Sequence, residues 1–330
     1  MTVSGKHLKK FLYPLLAIGL IYWVYQTIQP DKIIEEIKGA NYFWVGVAAL
    51  AGLTSHVIRA LRWKLLIEPL GYKSNFSSSF HSVMVGYTVN YVTPRMGEVA
   101  RCAIKAKSDD IPIDKLVGTV VTERVFDLII MFFITIAGVF WQYDLIADFL
   151  KSIFYSAGSD NLNYKVYVLI GLGVLGILGI VVYRYFARRK NNPVIITKII
   201  DFVTGLIGGA KSIFQMKRPI LFIIYSLLIW LMYFLVSYLV FFALDGTRGL
   251  GLDAAMTTLI VATFAVIVPA PGGLGSFHYF VPRGLLLYGI DLSIGTSYAI
   301  ISHASQMLMI FFFGGLSMVI VSFKKRKSVV

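Results

Sequence analysis

Six long apolar stretches run through this chain and constrain its fold more than any other feature. A helix needs about 20 residues to cross a bilayer core of about 30 Å, and each stretch has close to that length with few charged residues. The stretches are residues 11–28, 41–58, 116–141, 164–183, 219–244 and 296–320. Since lipid offers no hydrogen-bond partner to an open strand edge, each is predicted to be a helix. The predicted fold class is an all-α polytopic membrane protein with about six full spans.

Composition argues against a soluble protein. Of the 330 residues, 57% are hydrophobic and only 15% are charged, against about 25% charged in ordinary globular chains. One cysteine, Cys102, excludes an intramolecular disulfide and a cysteine-based zinc finger. The formal charge of +14 could suggest nucleic acid. Because the basic residues lie between apolar runs rather than along one helix face, we expect no nucleic-acid partner.

The basic residues fall on one side of the membrane if the spans alternate. They lie in the segments 6–10, 59–73, 105–115, 184–218 and 324–327, whereas the opposite loops are mainly acidic. Lysine and arginine accumulate in cytoplasmic loops, so both termini are predicted to be cytoplasmic. The connection 184–218 is predicted to carry an amphipathic helix in the cytoplasmic interface. Residues 1–330 are then a single transmembrane domain.

Two further apolar regions, 76–104 and 252–290, are interrupted by proline and glycine. The interrupting residues are Pro94 and Gly97 in the first region, and Pro269, Pro271, Gly272, Gly273 and Gly275 in the second. Each interruption predicts two short helices meeting at an unwound turn, which is a re-entrant hairpin. Such a pair in an inverted-repeat-like arrangement is typical of transporters, where half-helix N-termini face an anion. The alternative is a simple kink in one or both helices.

Six charged residues lie where lipid is expected. They are Arg95, Glu98 and Arg101 in the first interrupted region, and Glu123, Arg124 and Asp127 in the span 116–141. An ionised side chain at mid-membrane costs about 2.5–3.5 kcal/mol, so these charges must be compensated. Spacing allows Glu98 to pair with Arg101 and Arg124 with Asp127. The set forms either an internal clamp between helices or a site where arginine receives a lipid phosphate and the carboxylates balance the charge when the site is empty.

Polar residues of the second hairpin and the last span form a second candidate group. His278 follows the Pro/Gly turn, and His303 and Gln306 share one helical face. Histidines inside a membrane are either packing residues or groups that relay protons near neutral pH. No pair has metal-ligand spacing, and the sequence has no Walker loop, Gly-x-Ser-x-Gly elbow or Asp-rich box, so no metal or cofactor is predicted.

The order of these motifs resembles a known family. The segments Thr93-Pro94-Arg95-Met96-Gly97-Glu98, Thr122-Glu123-Arg124 and Pro271-Gly272-Gly273-Leu274-Gly275 are similar to those of the flippase-like transmembrane family that includes the N-terminal half of bacterial lysylphosphatidylglycerol synthase/flippases. The resemblance covers residues 10–322. Many members have one more residue between the proline and the arginine of the first motif, and many have glutamate where this chain has His278.

The resemblance implies a stand-alone member of the bacterial inner (plasma) membrane, without the synthase domain and therefore not an enzyme. It implies movement of a phospholipid or polyprenyl-phosphate-linked lipid between leaflets, by a homodimer that works beside a separate lipid-modifying enzyme. The candidates for headgroup binding are the six charged residues, the polar group and the residues that interrupt the two regions: Arg95, Glu98, Arg101, Glu123, Arg124, Asp127, His278, His303, Gln306, Pro94, Gly97, Pro269, Pro271, Gly272, Gly273 and Gly275. Two alternatives stay open: a secondary transporter of a small polar solute coupled to protons, and a membrane subunit of a lipid-modifying transferase.

Overall fold

The computed structural model describes residues 30–142, 216–267 and 270–327. Within these ranges the chain forms nine α-helices and no strand, which confirms the predicted all-α class. In chain order the helices are α1 (Pro30–Gly39), α2 (Tyr42–Ile67), α3 (Phe76–Val92), α4 (Gly97–Asp109), α5 (Ile113–Trp141), α6 (Pro219–Phe241), α7 (Leu252–Ile267), α8 (Ser276–Leu286) and α9 (Leu292–Lys327).

Helices α2, α5, α6 and α9 are long and apolar enough to cross a membrane. They correspond to the predicted spans that begin at residues 41, 116, 219 and 296. The predicted spans 11–28 and 164–183 lie outside the described residues, as does the connection 184–218 up to residue 215. The total of six spans and the interfacial helix therefore stay predictions.

Helix α2 continues beyond the predicted end of its span, from residue 58 to Ile67. Arg59 and Arg62 consequently lie inside this helix, and both are buried. Their placement in a loop was wrong, whereas the side of the membrane on which they lie stays a prediction. Hydropathy ends a span at the first arginine because an unpaired charge is costly in lipid, but carboxylates on α5 pair with both guanidinium groups and offset that cost.

Lys105 of α4 is a third basic residue of the predicted cytoplasmic segments that is buried. Its side chain is fully buried, and Nζ donates to the hydroxyls of Ser78 and Ser79 at 2.7 and 2.6 Å. It also pairs with Asp109 at 2.7 Å. This lysine therefore ties the end of α4 to the start of α3.

Both predicted Pro/Gly interruptions break the helix. The turn 93–96 separates α3 from α4, and Arg95 in this turn has left-handed backbone with φ of 65°. Residues 270–275 lie between α7 and α8 and include a 3-10 turn over Pro271–Gly273, while Pro269 lies outside the described residues. We call α3 and α4 the first hairpin, and α7 and α8 the second hairpin. Their re-entry into the membrane from one face stays a prediction.

The tips of the two hairpins touch each other. Gly272 has φ of 56°, a conformation that glycine adopts without the penalty of a Cβ atom. A Cβ atom on Gly272 would overlap the ring of Tyr91, the penultimate residue of α3. The second turn can therefore approach the first hairpin this closely only because glycine occupies the position.

The two hairpins open at opposite ends of the helix bundle. Helix α5 starts beside the open end of the first hairpin, where the Asn75 backbone N–H donates to Asp109. It ends beside the open end of the second hairpin, where the Gln142 side chain donates to the Asp253 carbonyl and accepts from the Tyr288 hydroxyl. The tips therefore meet between the two ends of α5, and an inverted-repeat arrangement of the hairpins stays a prediction.

Short polar contacts close the end of the bundle at which α2 begins. The Asn41 backbone N–H donates to the Ala243 carbonyl at 2.8 Å, which joins the start of α2 to the end of α6. Lys32 of α1 pairs with Asp291 beside α9 at 3.3 Å. The backbone N–H of Ser293 donates to Asp291 and, together with Lys32, holds the pKa of this carboxyl below its usual range. These contacts fix the position at which α2 and α9 begin.

Replacement of Asn41 by alanine tests the start of α2. The Asn41 side chain caps the helix by accepting from the Phe43 N–H at 3.1 Å. Loss of such a cap costs about 1 kcal/mol. We expect Asn41→Ala to lower the thermal unfolding midpoint in mild detergent by about 2 °C, and Asn41→Ser to keep the wild-type midpoint. Equal midpoints for the two variants would contradict the capping role.

Candidate functional site

Two arginines of α2 and two carboxylates of α5 form the centre of a buried ion-pair network. Arg59 Nη1 donates to Glu123 Oε1 at 2.6 Å and to Asp127 Oδ2 at 3.0 Å. Arg62 Nη1 donates to Asp127 Oδ1 at 2.7 Å, and its Nη2 lies 3.4 Å from Glu123 Oε1. Spacings of three residues in α2 and four in α5 place each pair on one helix face. The two helices therefore meet through charged side chains at this level.

Helices α4 and α6 complete the network. Arg101 of α4 donates to both oxygens of Glu123, at 3.0 and 3.3 Å, in the two-point geometry that guanidinium favours. Its guanidinium carbon lies 4.7 Å from the ring centroid of Trp63. The hydroxyls of Tyr233 and Ser226 in α6 accept from the two arginines of α2 at 2.8 and 2.9 Å. Four helices thus contribute to one polar cluster.

Charge does not balance inside this cluster. Within the described ranges, the three guanidinium groups of Arg59, Arg62 and Arg101 face only the two carboxylates of Glu123 and Asp127. The Nε atoms of all three arginines are buried and have no hydrogen-bond partner among the described residues. An uncompensated buried charge is costly, so the surplus positive charge favours an approaching anion.

A more exposed ion pair lies at the edge of the network. Arg124 Nη2 donates to Glu98 Oε1 at 2.7 Å, and the two side chains are 41% and 29% exposed, against 0–3% for the network arginines. Asn90 of α3 donates to Glu98 Oε2 at 3.5 Å and accepts from the Gly97 N–H at 2.7 Å. This pair joins the first hairpin to α5 at an accessible position.

A small cleft lies beside the exposed pair. Its volume is about 10 Å³, the space of one water molecule. Its polar lining comes from Tyr87, Asn90, Glu98, Arg101 and Arg124, and it also touches Gly97. The first residues of α4 border the cleft, and the N–H groups at a helix start have no partner within the helix. A helix N-terminus and two guanidinium groups therefore converge on one point.

The charges pair differently from the sequence-based expectation. Glu98 pairs with Arg124 rather than with Arg101, and Asp127 pairs with the arginines of α2 rather than with Arg124. Two residues that are three apart lie on the same side of a helix, and both point toward the neighbouring helix. Each of them therefore pairs with a side chain of that neighbour rather than with the other. Arg95 lies exposed in its turn and forms no ion pair with another described residue, so it is not part of the network.

Sequence reasoning missed Arg59 and Arg62 as members of the network. The available signal was their spacing of three residues immediately after an apolar stretch, with no proline or glycine between to end the helix. Two acids four residues apart on another apolar helix offer the matching counter-charges. Tyr233 and Ser226 carry no comparable signal, because a hydroxyl in an apolar span commonly bonds within its own helix, as Ser226 also does.

A second polar group surrounds the tip of the second hairpin. His303 Nε2 of α9 lies 2.9 Å from the Gly272 carbonyl oxygen, which can only accept, so Nε2 carries a proton. The ring of His278 packs edge-on against His303 with centroids 5.0 Å apart, and its buried Nδ1 has no partner among the described residues. The rings of Phe277 and Tyr91 lie 5.3 and 6.0 Å from His303. The histidines thus lie between the two hairpin tips.

The other candidate residues have mainly structural contacts. Gln306 turns away from the histidines, since Nε2 donates to the Ala48 carbonyl at 3.3 Å and the side chain packs against Gly52 of α2. Pro94, Pro271, Gly273 and Gly275 shape the two tips. Groups of three or more His, Cys, Asp or Glu side chains that could hold a metal ion do not occur in the described ranges.

Comparison with known proteins finds one matching family and several relatives. A family model described as the lysylphosphatidylglycerol synthase TM region matches residues 11–314, which include the whole network and both hairpin tips. A UPF0104 membrane protein of Methanocaldococcus jannaschii is 29% identical over 59% of this chain and 54% of its own length. A second UPF0104 membrane protein, from Methanothermobacter thermautotrophicus, is 23% identical over 92% of this chain and 91% of its own.

A glycosyltransferase of Haloferax volcanii, AglD, is 27% identical over 81% of this chain and 45% of its own length. The chain thus spans about half the length of the Methanocaldococcus and Haloferax relatives. No solved structure matches the chain. All three relatives are archaeal, so the bacterial inner membrane stays a prediction, as do the cytoplasmic termini and the homodimer.

The family match confirms the resemblance that the motifs indicate. It also agrees with the four helices of membrane-spanning length. The chain is a multi-pass membrane protein and belongs to the lysylphosphatidylglycerol synthase TM region family.

Proposed function

We propose that this protein moves a phosphate-bearing lipid between the leaflets of its membrane. The observation that carries the proposal is the position of Glu98. Its carboxylate lies at the start of α4, bonded to Arg124 and beside a buried network with surplus positive charge. A carboxylate in this position resembles an anion bound to the protein. Glu98 therefore occupies the place that a lipid phosphate would take.

The groups around Glu98 suit a phosphate. Arg124 is accessible and Arg101 lies behind it in the same cleft, and guanidinium binds phosphate at two points. The helix start adds partial positive charge and backbone donors. A phosphate that displaces Glu98 would gain these partners and offset the surplus charge of the network.

The cleft in its present form holds about one water molecule, so a headgroup requires it to open. The Glu98–Arg124 pair and the bonds of Asn90 are the contacts that close it. Their rupture would free the start of α4 from Arg124 and from α3, while the Arg101–Glu123 bonds continue to hold α4 against α5. Alternating exposure of the site to the two leaflets would then follow from movement of the two hairpins.

Lipid exchange in reconstituted vesicles tests the proposal. With acyl-labelled phosphatidylglycerol as the probe, we expect Arg124→Ala to slow exchange about tenfold, equivalent to about 1.4 kcal/mol of lost interaction with the phosphate. Arg248→Ala is the matched control, since Arg248 forms an exposed pair with Asp245 at the opposite end of the bundle. Equal exchange in wild type and Arg124→Ala would contradict the proposal.

Glu98→Gln separates headgroup binding from a structural clamp. Glutamine binds Arg124 less strongly than glutamate does, so it competes less with the phosphate. We therefore expect a fall in the fraction of phosphatidylglycerol that gives half of the maximal exchange rate. If the pair served only to clamp helices, Glu98→Gln and Arg124→Ala would slow exchange equally.

The similarity to AglD supports a second candidate function, a membrane subunit of a lipid-modifying transferase. The matched region is 45% of a protein named as a glycosyltransferase. This candidate predicts that membranes containing the protein transfer a labelled sugar to a lipid phosphate faster than membranes that lack it. Lipid exchange by the purified protein with no such transfer would favour the first candidate. Proton-coupled transport of a small polar solute stays an untested alternative.

A further inference from the structure

Two histidines lie in contact where the two hairpin tips meet, and no other histidine pair occurs in the described part of the chain. His303 of α9 and His278 of α8 touch at 5.0 Å between centroids, and His303 bonds the Gly272 carbonyl in the tip of the second hairpin. Tyr91 at the end of α3 packs against both Gly272 and His303. Three polypeptide segments that belong to different helices therefore meet at two imidazole rings.

The two imidazole rings are the groups at this contact that can take up a proton near neutral pH. His278 Nδ1 is buried and has no hydrogen-bond partner among the described residues, so no bond to any of them fixes its protonation state. The rings of Phe277 and Tyr91 beside His303 can stabilise an imidazolium. A second proton would place two cations in contact, so the two rings share one titration step.

Few other charged or titratable groups face the pair. Tyr91 is the titratable group from α3, and α9 contributes His303 itself. On α8, Arg283 lies 3.7 Å from the ring of Tyr279 and donates to its carbonyl. In the described part of the chain, neither histidine bonds a carboxylate or a cationic side chain. Among the groups that the structure describes, the two rings themselves therefore set the proton state of the pair.

We propose that the His278–His303 pair binds one proton in each transport cycle and couples lipid translocation to a proton gradient. This inference rests on the proposed function. A proton on His303 changes its bond to Gly272 into a charge-assisted bond, which is roughly twice as strong as a neutral one. Proton binding thus draws the tip of the second hairpin onto α9.

The last turn of α3 links this proton site to the headgroup site. Tyr91 contacts Gly272 and His303, and the adjacent Asn90 holds Gly97 and Glu98. A lipid phosphate that displaces Glu98 releases Asn90, and movement of this turn carries Tyr91 with it. By linkage, a proton that shifts Tyr91 changes phosphate binding by the same factor as phosphate changes proton binding.

The test compares lipid exchange in proteoliposomes with and without an imposed pH gradient of one unit. With acyl-labelled phosphatidylglycerol as the probe, we expect the gradient to change the wild-type initial rate about fivefold. We expect the ratio of the two rates to fall to 1 in His278→Gln and His303→Gln. Glutamine can still donate to the Gly272 carbonyl but takes up no proton at these pH values.

His81→Gln is the matched control, since His81 lies beside Ser317, far along α3 from the tip. It should keep the wild-type ratio, and gel filtration should show all three variants to be monodisperse. If the wild-type exchange rate did not depend on the gradient, proton coupling would be overturned and the proposed lipid movement would be unaffected. A ratio that persists in both tip variants would overturn the role of these histidines, and wild-type vesicles without exchange would remove both proposals.

Discussion

Glu123→Gln is expected to cause the largest loss of stability of any single substitution in the charged network. Glu123 is fully buried and bonds or pairs with Arg59, Arg62 and Arg101. Its neutralisation leaves Asp127 as the one carboxylate in the described part of the chain that faces these three buried guanidinium groups. Removal of one partner from a buried ion pair costs about 3–5 kcal/mol, because the remaining charge has neither water nor a counter-charge. The thermal unfolding midpoint in mild detergent measures the loss.

Because the surplus charge of the network is positive, removal of an arginine provides a control for removal of a carboxylate. Arg101→Met removes a positive charge from a cluster that has one too many, so the remaining groups balance. We expect this variant to lose clearly less stability than Glu123→Gln, although Arg101→Met removes both hydrogen bonds between Arg101 and Glu123 and glutamine can keep one of them. Asp245→Asn, in an exposed pair, should leave the midpoint unchanged. Equal losses in the two network variants would show that surplus charge does not govern this cluster.

The network also shows which features a single sequence can predict. Apolar length identified α2, α5, α6 and α9, because lipid solvent imposes a simple rule on helix length. The Pro/Gly interruptions identified both helix breaks, because the backbone properties of these two residues are local. These predictions required no knowledge of neighbouring helices.

Pairing across helices was not predictable in the same way. Each charged residue has several permitted partners, and the choice depends on helix rotation and on contacts between distant segments. Glu98 had Arg101 three residues away and yet pairs with Arg124 of α5. Hydropathy ended the second span before Arg59 because it assigns each charge its unpaired cost. The counter-charge that lowers this cost lies on another helix and comes close only when the protein folds. The sequence therefore predicted part of the site and missed its centre on α2.

Two glycines bring the helices of the first hairpin into backbone contact. Gly97 is the first residue of α4 and lies against the Gly86 carbonyl of α3 and the side chain of Asn90. A Cβ atom on Gly97 would overlap both of them. Because the Gly86 carbonyl is backbone and cannot rotate away, the helices themselves must separate. The bond from the Gly97 N–H to Asn90 and the contact of Asn90 with Glu98 would be lost with this separation.

Gly97→Ala is therefore expected to lower the free energy of unfolding by about 1–3 kcal/mol. We also expect it to slow lipid exchange by a larger factor than this loss of stability would explain. Gly118→Ala is the matched control, because Gly118 lies in α5 with open space where its Cβ atom would stand. Alanine in that helical position should stabilise by about 0.5–1 kcal/mol. The two substitutions add the same methyl group, so their opposite signs would isolate the effect of backbone contact in the first hairpin. If Gly97→Ala matched Gly118→Ala in unfolding midpoint and exchange rate, the close approach of α3 and α4 would not be required for either property.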